Sequence, residues 1–94
     1  EPTYGKYGIM RKQFLKEHRI ARYQYLVLTG KLTEHLNRVD KEAREKVEIL
    51  VEQMAEQWGE TEKLKMQDQM EWVGKMNNIR SRAVEIIDVE LICV

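Results

Sequence analysis

Ninety-four residues, 43% hydrophobic and 34% charged with one Pro and five Gly, fit a single soluble helical domain and exclude a disordered or disulfide-built chain. A lone Cys93 has no internal partner, no apolar run reaches the roughly 18 residues of a membrane span, and no charged start leads into an apolar leader. Net charge is zero but uneven: residues 1–31 hold seven Lys or Arg against two Glu, whereas residues 32–71 hold six against eleven Asp or Glu.

Residues 1–8 contain Pro2, Gly5, Gly8, Tyr4 and Tyr7, a composition that punctuates a helix, and are expected to form an N-terminal arm before one helical domain over residues 9–94. From Ile9 to Leu28 the spacing predicts a helix in which Met10, Phe14, Ala21, Tyr25 and Leu28 share a stripe, with Leu15 and Leu26 along its edge. Thr29-Gly30 ends it, because Gly reaches the left-handed conformation without steric cost. On the same helix Lys12, Lys16, Arg19 and Tyr23 recur as a separate ridge. Such a ridge fits a DNA backbone, where Lys and Arg displace counterions; it also fits a solvated face. The basic first third equally fits against the acidic middle of its own chain or of a partner.

Lys31 to Val39 reads as a short helix with Leu32, Leu36 and Val39 inward, so that a helix-turn-helix can be drawn across Thr29-Gly30, as it can across any bundle corner. His18 and His35 have no second His, Cys or carboxylate at metal spacing, and no metal or cofactor is expected. Asp40 stands where an N-cap belongs, before a helix from Lys41 to Trp58 with Ala43, Val47, Leu50, Met54 and Trp58 in register, thickened by Val51 and Ala55. Gly59-Glu60-Thr61 is too short for anything but an antiparallel return.

The last helix is read from Thr61, as N-cap, to about Leu91 without interruption. Trp72, Val73, Met76, Ile79, Ala83, Val84, Ile86, Ile87 and Leu91 share one side, joined by Met66 and Met70. Arg80 interrupts that side and Asn77 flanks it. Either Arg80 fixes register at an interface, with Asn77 and Trp72 as interaction residues, or its methylenes cover the core while its head reaches a neighbouring Glu. The five Met fit core filling or an adaptable groove. The fold class is therefore all-α, a small bundle with a long C-terminal antiparallel hairpin. At this length only about 60 to 65 per cent of the unfolded surface is hidden, which favours a homodimer.

Phe14-Leu-Lys-Glu-His-Arg, Gly30-Lys-Leu, Leu50-Val-Glu-Gln-Met-Ala-Glu, Thr61-Glu-Lys-Leu-Lys and Gln69-Met-Glu-Trp-Val-Gly-Lys-Met-Asn-Asn-Ile-Arg resemble the transposon-encoded protein TnpV family, from about Gly5 to Leu91. An Asn-Asn pair within a Trp and Met stripe is not something helix chemistry demands. The resemblance implies a small protein of mobilisable and conjugative transposons of Gram-positive bacteria, preceded by a segment rich in Tyr, Gly and Leu, with an accessory part in excision or transfer and no established catalytic residues. Recombination chemistry needs an activated Ser or Tyr with Arg and His around the phosphoryl group, and the tyrosines here lack that cluster. A non-enzymatic cytoplasmic protein is expected, with DNA or transposon recombination proteins as partners, no membrane and no small-molecule substrate. Lys12, Lys16 and Arg19 are its phosphate contacts, or else it is a helical homodimerisation module without nucleic-acid binding.

Overall fold

A computed structural model describes residues 2–59 and 61–94, the Thr61 side chain excepted, and among them there are helices and no strand. The elements are α1 (Lys6–His18), α2 (Ile20–Leu28), α3 (Leu32–Trp58), α4 (Thr61–Gln67) and α5 (Gln69–Ile87), followed by a π-helical turn, Asp88–Ile92. They fill an elongated volume of 55 × 25 × 18 Å. The capping expected of Thr61, and Glu60 before it, lie outside the described residues.

The helix expected over Ile9–Leu28 starts earlier, at Lys6, and is two helices. Arg19 leaves helical geometry at φ −140° and ψ 55°, and its Nη1 donates to the His18 carbonyl that the break exposes, at 2.9 Å. The break rotates the stripe. Leu15 and Leu26, expected at the edge, are the buried ones, while Ala21, Tyr25 and Leu28 face outward. α2 ends as expected at Gly30 (φ 71°): Gly30 N–H bonds Val27 O at 3.1 Å and Lys31 N–H bonds Leu26 O at 2.9 Å, a Schellman close.

The two helices expected over Lys31–Val39 and Lys41–Trp58 are instead one 27-residue helix, α3, about 40 Å long at 1.5 Å per residue. Asp40 does not cap its own chain segment. Nothing between Val39 and Lys41 removes an amide or frees φ, so the helix continues, and the Asp40 carboxylate, 3% exposed, accepts from Gly8 N–H at 3.0 Å. Gly8 is the third residue of α1, whose N-cap Gly5 has no side chain to offer. Asp40 is thus a cap delivered to another helix, 32 residues away. Gly59, at φ 82°, closes α3 with its N–H on Ala55 O at 3.2 Å.

The uninterrupted helix expected from Thr61 to Leu91 is broken at Asp68, which stands at φ −148° and ψ 92° and accepts from Glu71 N–H at 3.1 Å as N-cap of α5. Asp68-Gln-Met-Glu71 has capping-box spacing, with an acidic residue in the first turn. The apolar stripe changes face there. Met66 and Met70 are 87% and 85% exposed, Val73 and Ile86 are exposed as well, and Trp72 is half-buried; Ile79, Ala83 and Ile87 are buried. After Ile87 the π-helical turn lets the next buried residue fall five positions on, at Ile92, rather than at the expected Leu91, which is half-buried.

The core is Val39, Ala43, Val47 and Val51 of α3 against Ile79, Ala83, Ile87 and Ile92, with Tyr7 and Met10 of α1 packed on it. Farther along α3, Lys75 Nζ of α5 lies 5.1 Å from the Trp58 ring centroid. Leu15 of α1 and Leu36 of α3 are also fully buried. Small Ala43 and Ala83 permit close approach of the backbones, and each large apolar side chain buried here contributes roughly 1.5 to 3 kcal/mol before chain-ordering costs.

Candidate nucleic-acid interface

The most constrained polar group is Arg11, on the face of α1 turned to the core and 5% exposed. Its Nη1 donates to Ile92 O at 2.8 Å and Val94 O at 2.7 Å, and its Nε to His35 Nε2 at 3.3 Å. One guanidinium thereby joins α1 to α3 and to the residues after α5. Burial pulls its pKa below the usual arginine value, with Arg22 pulling the same way. A buried Arg without an acidic side chain beside it is costly; here main-chain oxygens accept from Nη1 and an imidazole nitrogen from Nε.

His35, also buried, is held neutral. Burial first, and then the positive charges of Arg11, Arg22 and Arg38, together lower its pKa to about 4. A neutral imidazole accepts at one ring nitrogen only. Arg11 Nε lies on Nε2 and Arg38 Nη2 on Nδ1, each at 3.3 Å, so the tautomer decides which of the two guanidiniums the ring accepts from.

The expected phosphate contacts lie close by but not on one ridge. Lys12 is half-buried on α1 and Lys16 is exposed, its Nζ 5.8 Å from the Tyr23 ring centroid across the α1–α2 break. Arg19 sits in the break, 5.3 Å from the Phe14 ring, which Arg11 approaches from another side at 5.8 Å. The break at Arg19 therefore folds the straight ridge into a corner that also carries Arg22 and Arg38. The spacing pointed to Lys12, Lys16 and Arg19; Arg22 and Arg38 join only through tertiary folding, and neither belongs to the ridge.

The second set of expected residues lies elsewhere. Arg80 is exposed and makes a two-pronged pair with Glu48 of α3, its Nη2 reaching Oε1 at 3.1 Å, and that hydrogen bond holds the Glu48 carboxyl below its ordinary pKa. Asn77 is exposed on α5. Trp72 lies under Lys65, whose Nζ is 4.9 Å from the indole centroid, and its Nε1 is buried with no partner among the described residues. Among the described residues no hydrogen bond, ion pair or ring contact joins Asn77, Arg80 or Trp72 to Lys12, Lys16 or Arg19, and the two sets occupy different elements. A broad open depression of about 590 Å³ lies on α3 among Lys41, Arg44, Glu45, Glu48 and Ile49. Among the described residues, no group of three His, Cys, Asp or Glu is placed to hold a metal, and no helix is long and apolar enough to cross a membrane.

Comparison of the chain with curated proteins and with solved structures finds no match. Comparison with families does: the model for "Transposon-encoded protein TnpV" matches residues 1–92, nearly the whole chain, in agreement with the motifs around Trp72 and Asn77. The chain belongs to the transposon-encoded protein TnpV family.

Proposed function

We propose that this transposon-encoded protein is a non-enzymatic accessory factor that contacts the DNA backbone, weakly and without reading sequence, during excision or transfer of its element, alone or beside a recombinase in the cytoplasm. The observation that carries this reading is the corner formed by α1, α2 and the start of α3, where Lys16, Arg19, Arg22 and Arg38 are exposed with Lys12 half-buried beside them. Lys12, Lys16 and Arg19 reach phosphates, and counterion release supplies the affinity. On this reading α3 and α5 are the arms of the long antiparallel hairpin expected from the sequence. The pairs Trp58–Lys75 and Glu48–Arg80, in which residue numbers run in opposite senses, support it. The hairpin is then a rigid rod that presents the corner at one end. Electrophoretic mobility shift with a mixed-sequence duplex at 50 and 200 mM salt tests the proposal. Three phosphate contacts predict a loss of roughly 40-fold between those concentrations; no retarded species at the lower salt ends it.

A second reading, a helical homodimerisation module without nucleic-acid binding, draws on a different feature. Met66, Met70 and Val73 are exposed around the half-buried Trp72, while Arg80 and Asn77 flank the same helix. An apolar surface of this kind fits a helix of a partner or of a second copy. Light scattering across a hundredfold range of protein concentration separates the two, since this reading requires a dimer and the DNA reading does not.

A further inference from the structure

α2 is apolar, yet folding leaves most of it in water. Along Ile20-Ala-Arg-Tyr-Gln-Tyr-Leu-Val-Leu28 the buried residue is Leu26, while Ile20, Tyr25, Val27 and Leu28 are exposed. Tyr23, Gln24, Val27 and Leu28 line an open hollow of about 270 Å³ on this helix. Its aromatic wall is tied to the basic ridge of α1, because Lys16 Nζ lies over the Tyr23 ring, 5.8 Å from its centroid. Across the break, the Phe14 and His18 rings lie 5.1 Å apart, centroid to centroid, and the Arg19 guanidinium stands 5.3 Å from the Phe14 ring. Ring and cation therefore alternate around the corner as Phe14, Lys16, His18, Arg19 and Tyr23. Glu17 is the one acid in the sequence between Pro2 and Thr33. It accepts from Gln13 Nε2 at 2.7 Å and lies 4.0 Å from His18 Nε2.

An apolar hollow beside cations calls for an occupant that is flat and apolar in one part and anionic in another. A second copy of the chain fits poorly, since in a twofold contact the patch meets itself and sets Lys16 and Arg19 of one copy against their own kind. A nucleotide fits both parts: its base stacks on an aromatic ring whatever the base, and its phosphate meets the cation. In a duplex the base faces are already stacked on their neighbours, so only an unpaired strand offers them. We propose that the α1–α2 corner binds single-stranded DNA, seating one unpaired base against Tyr23 in the hollow, with Lys16 and Arg19 on the flanking phosphates. This deepens the DNA reading and rests on it for the phosphate contacts. It adds that the strand is unpaired and that a base is held as well as the backbone.

The full chain is titrated by fluorescence anisotropy at 50 mM salt against three labelled probes: an oligothymidylate of about twelve nucleotides, an abasic strand with the same number of phosphates, and a mixed-sequence duplex. The oligothymidylate is expected to bind about tenfold more tightly than the abasic strand. Tyr23→Leu, which keeps an apolar wall without a π face, closes that gap, and Tyr23→Phe preserves it, the amide spectra showing each variant folded. Proton NMR of the Tyr23 ring in the unaltered chain gives a second readout: saturable upfield shifts with the oligothymidylate and not with the abasic strand. Equal affinity for those two strands, with an unmoved Tyr23 ring, overturns the seat; the backbone reading then stands if the duplex is bound. Base-dependent binding of the oligothymidylate without any binding of the duplex keeps the seat and ends the duplex reading. No binding of any probe ends both. Tyr23 shifts that follow protein concentration alone assign the hollow to a second copy, and shifts that follow phosphatidylserine vesicles but no strand assign it to a membrane surface; either result overturns the proposal.

Discussion

Acid should destabilise this fold through one histidine. His35 has a folded pKa of about 4 against an ordinary value of 6.5, chiefly because it is buried and then because Arg11, Arg22 and Arg38 face it from α1, α2 and α3. Burial puts the Cys93 thiol higher than usual, so it adds nothing in this range. Above pH 6.5 the imidazole is neutral whether the chain is folded or not, and its contribution is fully present. As pH falls from 6.5 towards 4, the unfolded chain takes up a proton that the folded chain refuses, so stability is lost. At 1.36 kcal/mol per pK unit, the loss by pH 4 is about 3 kcal/mol, a large share of the stability of a domain this small. His35→Gln keeps an acceptor for Arg11 Nε and removes the titration. Urea unfolding of both proteins at pH 7, 6, 5 and 4 reads the difference directly. Wild type should lose about 3 kcal/mol more than the variant over that span; a gap under about 1 kcal/mol would refute the burial and charge assigned to His35.

Asp40→Ala removes the cap of α1 and the partner of Arg44 together, at a cost of about 1 to 2 kcal/mol by urea unfolding, whereas Asp40→Asn keeps an acceptor for Gly8 N–H and loses less. Gly8→Ala places a Cβ 2.4 Å from Tyr4 Cβ and should lower stability by about 1 to 3 kcal/mol, with most of the loss recovered when Tyr4→Ala is added. The exposed Arg80–Glu48 pair should yield a coupling of about 0.2 to 1 kcal/mol in a double-mutant cycle of Arg80→Met and Glu48→Gln, falling towards zero in 1 M salt.

The part of the fold that repeats every three or four residues was legible. Ala43, Val47 and Val51, and Ile79, Ala83 and Ile87, lie inward as their spacing requires, and Gly30 and Gly59 end helices with positive φ. The break at Asp68 was also written in the chain, since Asp68 and Glu71 stand at capping distance, but a continuous apolar period across it is the stronger local signal. The break at Arg19 has no such mark. It follows from tertiary packing, which buries Leu15 on one side and Leu26 on the other and leaves Tyr25 outside.

For the candidate interface, the basic ridge of Lys12, Lys16 and Arg19 was visible in the spacing. Arg22 and Arg38 were not, because they come from helices set at a corner rather than from one face. Arg11 was least legible of all: its partners Ile92 and Val94 are main-chain oxygens 81 and 83 residues away, and no side-chain pattern encodes a carbonyl. Asp40 illustrates the same limit, being a capping residue by chemistry whose helix is chosen by the fold.

The salt dependence of duplex binding, by fluorescence anisotropy from 50 to 200 mM, bears most directly on the claim that the corner of α1, α2 and α3 meets DNA through phosphate. With Lys12, Lys16 and Arg19 alone the slope of log affinity on log salt is about −2.7, and with Arg22 and Arg38 added it is about −4.5, a loss of roughly 500-fold across that range. A slope between those values that flattens when these cations are replaced by Gln is the predicted result. Binding that ignores salt, or that survives their replacement with its slope intact, contradicts the account.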